Sequence, residues 1–297
     1  MTFKKLVRTF FRNPLAVLGL VLLLFFVAVA ILAPVLAPPV GERGRLNPYR
    51  IPRDGFSAPP EPPSEEHPFG TTEGQYDIYY GVVWGTRTAF QVGIAMTVAT
   101  LLIGLVVGSI AAYYGGWVDE LLMRIVEIFQ AFPFLLAAIT LSAVLQAKLG
   151  KGLLTGMIAL VAFGWTTYAR LIRGDILAVR QRDYVLAARS VGVRDLTILV
   201  RHIIPNAIFP TIVLASMRIG DYVLSFAGLS FLGLGTEVGY ADWGQLISFA
   251  RNWIPALAEH WYILVYPGAA IVLFVLAWNL VGDAFRDIMD PRLQGSR

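Results

Sequence analysis

The stretch Gln181–Pro205 reads QRDYVLAARSVGVRDLTILVRHIIP and lies between long apolar runs. A basic, partly polar island of this kind must face water, because charged side chains are costly inside hydrocarbon. Its punctuation predicts two short helices joined at a glycine. Asp183 and Asp195 suit N-caps, Gly192 suits a helix stop, and Pro205 suits a break before the next apolar run. Taken alone, the island is either an ordinary solvated loop or a docking element, and its flanks must decide between them.

Those flanks place the chain in the membrane class. Of its 297 residues 57% are hydrophobic and only 15% charged, with a mean hydropathy of +0.65. Several runs approach the roughly 20 residues that cross a bilayer core. The absence of cysteine excludes disulfides, thiolate metal sites and a cysteine nucleophile. The basic balance, with a pI near 9.4, is read as setting orientation rather than as binding nucleic acid. His67, His202 and His260 are scattered without metal-ligand spacing, so no metal and no catalytic residue are assigned.

Six spans are expected, at about 15–37, 90–114, 125–147, 153–168, 207–232 and 262–281. The chain then divides into a cytoplasmic N-terminus 1–14, a first transmembrane helix 15–37 and an extracytoplasmic Pro-rich, aromatic loop 38–88. A five-helix core 89–282 follows and contains the island 180–205. The tail 283–297 is cytoplasmic. The first run follows Lys4, Lys5, Arg8 and Arg12 and is too long for a cleaved signal segment. Tyr76, Tyr79, Tyr80 and Trp84 make the loop too aromatic for a solvated linker, so it is expected to be partly ordered and to dock on neighbouring subunits. Gly104 and Gly108 form a small-xxx-small pair, and Pro133 predicts a kink in the third span. Alternating the loops puts Lys4, Lys5, Arg8, Arg12, Arg124, Arg170, Arg173, Arg180, Arg182, Arg189, Arg194, Arg201, Arg286, Arg292 and Arg297 on one side. Opposite lie Arg43, Arg45, Arg50, Arg53 and Arg87 of the long loop, which weighs less, and Lys148, Lys151 and Arg251. Both termini and the island are therefore expected in the cytoplasm.

Ionisable groups within spans are pathway candidates. Arg218 and Asp221 share one helical face, either pairing to anchor packing or lining a pathway. Glu127 reaches toward an interface, and Asn279 suits an interhelical hydrogen bond. A membrane-embedded enzyme acting on lipid would need a convergent set of histidine, carboxylate and nucleophile, which the sequence lacks. A secondary transporter would be expected to show an inverted repeat, and none is evident. No G-x-x-x-x-G-K-[ST] phosphate loop is present, so ATP could drive uphill transport only through another chain pressing on a docking element.

The island supplies such an element. Ala187, Ala188, Gly192 and Pro205 resemble the E-A-A-x-x-x-G loop of membrane subunits of ABC importers, in particular the C-type permease subunit of the oligopeptide, dipeptide and nickel group. RNPLAVLGL at Arg12, EHPFGT at Glu66, YYGGWVDELLMR at Tyr113, AFPFLL at Ala131, RHIIPNA at Arg201, LSFLGLG at Leu229 and GDAFRDIMDPRL at Gly282 resemble segments of that family in the same order. The resemblance implies an all-α integral membrane protein of the type I ABC importer permease class. It is implied to form the pore for peptides, or for a related solute such as nickel or a sugar, in the cell membrane of a prokaryote. The implied partners are a homologous second permease subunit, two cytoplasmic ATPase subunits that bind ATP and Mg, an extracytoplasmic solute-binding protein and membrane lipid. The docking residues carried over are Asp183, Tyr184, Val185, Leu186, Ala187, Ala188, Arg189, Ser190, Val191, Gly192, Val193, Arg194 and Asp195. Val185, Leu186, Val191 and Val193 are expected to seat in a groove, with Arg189 and Arg194 on an acidic rim. Leu186 stands where the family has glutamate, which shifts the expected contact toward apolar burial. After Thr71, Gly74, Gln75, Tyr76 and Asp77 depart from the family's G-R-D-x-x-S-R pattern in the external loop.

Overall fold

The computed structural model describes residues 10–56 and 59–289. Among these residues the fold is helical, and pairing between extended segments is limited to isolated bridges. The long helices are α1 (Pro14–Leu36), α3 (Ile78–Tyr114), α6 (Leu153–Arg180), α10 (Phe209–Phe231) and α12 (Tyr262–Met289). A short α2 (Gly41–Leu46) follows α1, and α4 (Gly116–Gln130) and α5 (Phe134–Leu149) lie between α3 and α6. The island forms α7 (Asp183–Ser190), α8 (Asp195–Ile198) and α9 (Ile204–Ala207), and α11 (Trp243–Ser248) precedes α12.

Four helices, α1, α3, α10 and α12, are long and apolar enough to cross a membrane. The pair α4 and α5 is a fifth apolar stretch, bent by 85°. Its break falls at Ala131–Pro133, so the expected kink is instead two separate helices. Pro133 cannot donate a helical hydrogen bond and biases Phe132 away from helical angles. The expected fourth span falls in α6, which has the length at 28 residues but is not among these candidates, since its second half carries Arg170, Arg173, Asp175 and Arg180.

Asn13 starts α1 by accepting from the amides of Leu15 at 3.0 Å and Ala16 at 3.4 Å, with Pro14 pre-set in the first turn. Most of α1 is exposed, and only Ala16, Gly19, Phe26 and Ala33 are buried, as suits a peripheral helix coated by lipid. Helices in lipid associate by close packing rather than by hiding apolar surface from water. The most extensive helix pair, α3 with α6, accordingly meets through glycine. A Cβ on Gly104 would lie 2.5 Å from the Tyr168 Cβ, and one on Gly108 would lie 2.4 Å from the Ala169 carbonyl oxygen.

The loop boundary needs correction. Tyr79, Tyr80, Trp84 and Thr88 lie within α3, whose 37 residues span about 55 Å and overreach a hydrocarbon core of about 30 Å. Residues 78–88 are thus the first turns of a helix capped by Asp77, which accepts from the Tyr80 amide at 2.8 Å. Within this chain the loop is tied down by hydrogen bonds to remote segments. The Trp84 indole donates to the Ala37 carbonyl at 2.9 Å, and Tyr80 donates to that of Pro48 at 2.7 Å. The Ile51 amide donates to Gly239 at 2.8 Å and the Ala241 amide to Tyr49 at 2.7 Å. Phe26, Trp243 and Phe274 then pack edge-on and tilted, tying α1, α11 and α12 together. The tail boundary also moves, since α12 continues to Met289. Ala284 is buried with Phe10 and Ala16 against the start of α1.

His67 closes the loop. Its Nδ1 lies 2.9 Å from an Asp77 carboxylate oxygen and its Nε2 2.8 Å from one of Asp54. Carboxylates only accept, so satisfying both contacts requires a proton on each ring nitrogen. Burial opposes the charge, the two carboxylates favour it, and the balance raises the pKa of His67 above its ordinary value.

Two predictions follow from this packing. Gly108→Leu should lower the thermal midpoint of the purified protein by an amount matching about 1–3 kcal/mol of overpacking or more. Gly174→Ala, with nothing within 4 Å of its added Cβ, should be neutral or slightly stabilising. Because the folded pKa of His67 is raised, its stabilisation is full below the ordinary imidazole value near 6.5 and is lost as pH rises through the raised value. Limited proteolysis of the 54–77 segment should therefore quicken with pH across that window, and His67→Gln should flatten the dependence.

Candidate functional site

The island is two-faced. Its α7 ends in a Schellman turn: the Val193 amide donates to the Ala188 carbonyl at 3.2 Å, with Gly192 at φ +77° between them. Arg182 and Arg194, not Asp183 and Asp195, occupy the N-cap positions, without side-chain capping bonds. The two aspartates lie one residue further in, where they complement the helix dipoles instead. Val185 and Ile198 are fully buried, packed with Ala112, Ile172, Ile176 and Ile203, and Ala188 and Val193 lean on the same cluster. Val185 and Val193 therefore seat the island on its own bundle, which corrects their expected place in a partner's groove. The free face carries Tyr184, Leu186 at 48% exposure, Val191 at 79% and Leu196 at 71%. Arg182, Arg189 and Arg194 are exposed beside them. Leu196 is not among the expected docking residues, and its exposure is decided by how α8 packs on the α3 and α6 cluster.

Both ends of the island are fixed. Arg180 donates to the Ala112 and Tyr113 carbonyls at 3.0 and 3.2 Å, satisfying the C-terminal end of α3. Arg173 makes a bidentate pair with Asp119 of α4, both contacts at 2.5 Å. Residue spacing could not reveal this pair, since the two sit on different helices. On the far side Pro205 does not break the helix as expected. A π-helical turn at Leu199–Ile203 widens the backbone so that the proline ring and its missing amide are accommodated. The chain then runs through α9 into α10 by way of the Ile208 amide to Ile204 carbonyl bond at 2.9 Å.

α6 and α10 also form two walls of a groove of about 760 Å³, whose third wall is the break between α4 and α5. Phe129, Phe132, Phe163 and Leu224 supply apolar lining, and Gln130, Thr167, Arg218, Asp221 and Ser225 supply polar groups. Arg218 and Asp221 are 44% and 48% exposed, with Nη1 and Oδ2 3.6 Å apart. That separation is an ion contact beyond hydrogen-bond distance. Tyr222 backs the pair, buried and bonded to Thr100 at 3.1 Å.

The other expected polar residues lie elsewhere. Glu127 accepts from Arg124 at 3.2 Å on an exposed face of α4. Asn279 is half-buried on α12, and among the described residues its side chain has no hydrogen-bond partner. Among the described residues no cluster of histidine and carboxylate groups could hold a metal.

Comparison with known proteins adds an independent line. The profile of the family described as binding-protein-dependent transport system inner membrane component matches residues 104–295. That of the N-terminal transmembrane domain of oligopeptide transport permease C matches residues 2–60. The dipeptide transport system permease protein of Alkalihalophilus pseudofirmus is 35% identical, covering 95% of this chain and 88% of that protein. The glutathione transport system permease protein of Pectobacterium atrosepticum is 36% identical, with 97% and 90% covered. The oligopeptide transport system permease protein of Bacillus subtilis is 35% identical, with 96% and 88% covered.

The two faces of the island should respond differently to charge. Val185→Asp places an unpaired carboxylate in the α6 cluster and should cost about 3 kcal/mol or more, read as a lowered thermal midpoint. Leu186→Asp on the free face should leave that midpoint within the range of about 0.5 kcal/mol usual for surface changes.

Proposed function

This chain belongs to the family of binding-protein-dependent transport system inner membrane components, and from that premise we propose how its island and groove work together. The chain is a multi-pass inner-membrane protein and the pore-forming membrane subunit of an importer. In our reading the free face of the island docks an ATPase subunit. Tyr184, Leu186, Val191 and Leu196 enter its apolar groove, and Arg182, Arg189 and Arg194 meet an acidic rim. ATP and Mg are held by two such partner chains on the cytoplasmic side, where both termini of this chain also lie. A homologous second permease closes the groove into a pore, and an extracytoplasmic binding protein delivers the solute at the opposite end. By the company of its relatives, the solute is a peptide.

One observation supports this reading above the rest: the island continues directly into α6 on one side and α10 on the other, the two helices that wall the groove. Its inner face is locked to α6 by Val185 and Ile198. An ATPase that moved the free face would therefore carry both walls with it. A ligand or partner biases a two-state bundle only by binding its states differently, and a rigid lever of this kind supplies the difference.

The test is co-purification and ATP-dependent uptake of a labelled dipeptide, with the binding protein supplied. Gly192→Val adds no clash, since nothing lies within 4 Å of the added Cβ, but it strains a backbone at φ +77°. It should cut uptake about tenfold or abolish ATPase association, and Leu186→Asp with Val191→Asp should weaken association without unfolding the bundle. Normal association and normal uptake in both variants would remove the island from the coupling path.

A further inference from the structure

We propose that Arg218 and Asp221 form an exchangeable clamp for the two charged ends of a short peptide passing along the groove. This rests on the reading of the chain as a peptide-importing pore subunit and goes beyond it by assigning residues to the solute.

The pair lacks the build of a packing anchor. An ion pair kept to anchor helix packing is expected to be buried and hydrogen-bonded on all sides, because the cost of desolvating two charges is offset only by close geometry. Arg218 and Asp221 are instead each nearly half exposed, both open into the groove, and meet at 3.6 Å. The residue between them that meets α12 is Gly220, where a Cβ would lie 3.1 Å from the Val275 Cα. A pair held this loosely loses little when each partner turns to a ligand of opposite charge.

The surroundings fit a zwitterion and not a single ion. Opposite charges three residues apart leave the groove locally neutral, so neither an anion nor a cation is held there by a net field. A peptide with a free ammonium and a free carboxylate offers Asp221 and Arg218 one partner each. The guanidinium gives the carboxylate a bidentate match. Gln130, Thr167 and Ser225 line the groove for backbone amides, and Phe129, Phe132 and Phe163 line it for side chains without selecting among them. The volume of about 760 Å³ lies within the range of about 300–1,000 Å³ found for small-ligand sites. The irregular backbone at Ala131–Pro133 is tolerated at membrane depth where it is buried or lines a wet cavity, and Phe132 and Pro133 do line this one.

The experiment uses the complete complex reconstituted in proteoliposomes, with labelled Ala-Ala as probe and uptake expressed per ATP hydrolysed. Arg218→Gln and Asp221→Asn are compared singly and together. A packing pair and a clamp respond in opposite ways to the double change. Removing both members of a packing pair restores a neutral, satisfied helix and should recover most of the loss. Removing both members of a clamp leaves nothing to hold the peptide termini. We expect about a tenfold fall in uptake per ATP for each single variant and at least as large a fall for the double variant. Recovery of wild-type uptake in the double variant, or no effect in any variant, would overturn the clamp while leaving the peptide pore intact. If the unmodified complex fails to move Ala-Ala but moves another class of solute, the peptide reading on which the clamp rests is what falls.

Discussion

The structure depends on how closely α3 can approach α6. In lipid, two apolar helices gain no solvent entropy by touching, so their contact is worth only what packing makes of it. Gly104 and Gly108 bring the α3 backbone against Trp165, Tyr168 and Ala169 of α6. That contact sets α6 upright beside the longest helix of the chain. Everything past Ala169, including Arg173, Arg180 and the seat for the island, is positioned by it.

From this seat the coupling geometry follows. α6 leaves the contact as an unbroken helix, pinned to α4 by the Arg173–Asp119 pair and to the end of α3 by Arg180. The island then folds back so that one face closes the α6 cluster and the other stays free. Returning through a π-helical turn, the chain passes a single bend at Ile208 and enters α10. This build suits the proposed coupling role, since a solvated loop with free ends would absorb a displacement rather than pass it on. The same two helices hold Thr167 and Tyr168 on one side of the groove and Arg218 and Asp221 on the other, so the proposed docking face and the proposed solute path share their supports.

The opposite end shows a different logic. The proline-rich segment has no helical ladder to satisfy its backbone, and it borrows partners from the loop after α10. Tyr49, Ile51, Tyr80 and Trp84 each spend a hydrogen bond on a carbonyl or amide remote in sequence. Tyr49 also stacks on Tyr240 at 5.5 Å. Aromatic side chains thus brace the segment from two sides, Tyr80 and Trp84 from the first turns of α3 and Tyr240 from the loop after α10. The departures from the family pattern near Gly74 and Gln75 fall where the left-handed turn is made, with Gln75 at φ +58°.

Periodicity and composition determined by themselves that the chain is helical, that it crosses a membrane, where α1, α10 and α12 run, and that residues 180–205 stand apart as a basic pair of short helices. These are local properties: apolar length, punctuation by glycine and proline, and the cost of charge in hydrocarbon act within a few turns of chain. Tertiary structure alone decided which face of the island is free, because burial of Val185 and exposure of Leu196 depend on a cluster contributed by α3 and α6. It also decided that Arg218 and Asp221 open into a groove, since a spacing of three residues says they share a face but not what that face meets. The early start of α3 belongs with these, because Tyr80 and Trp84 bond to the carbonyls of Pro48 and Ala37, distant in sequence.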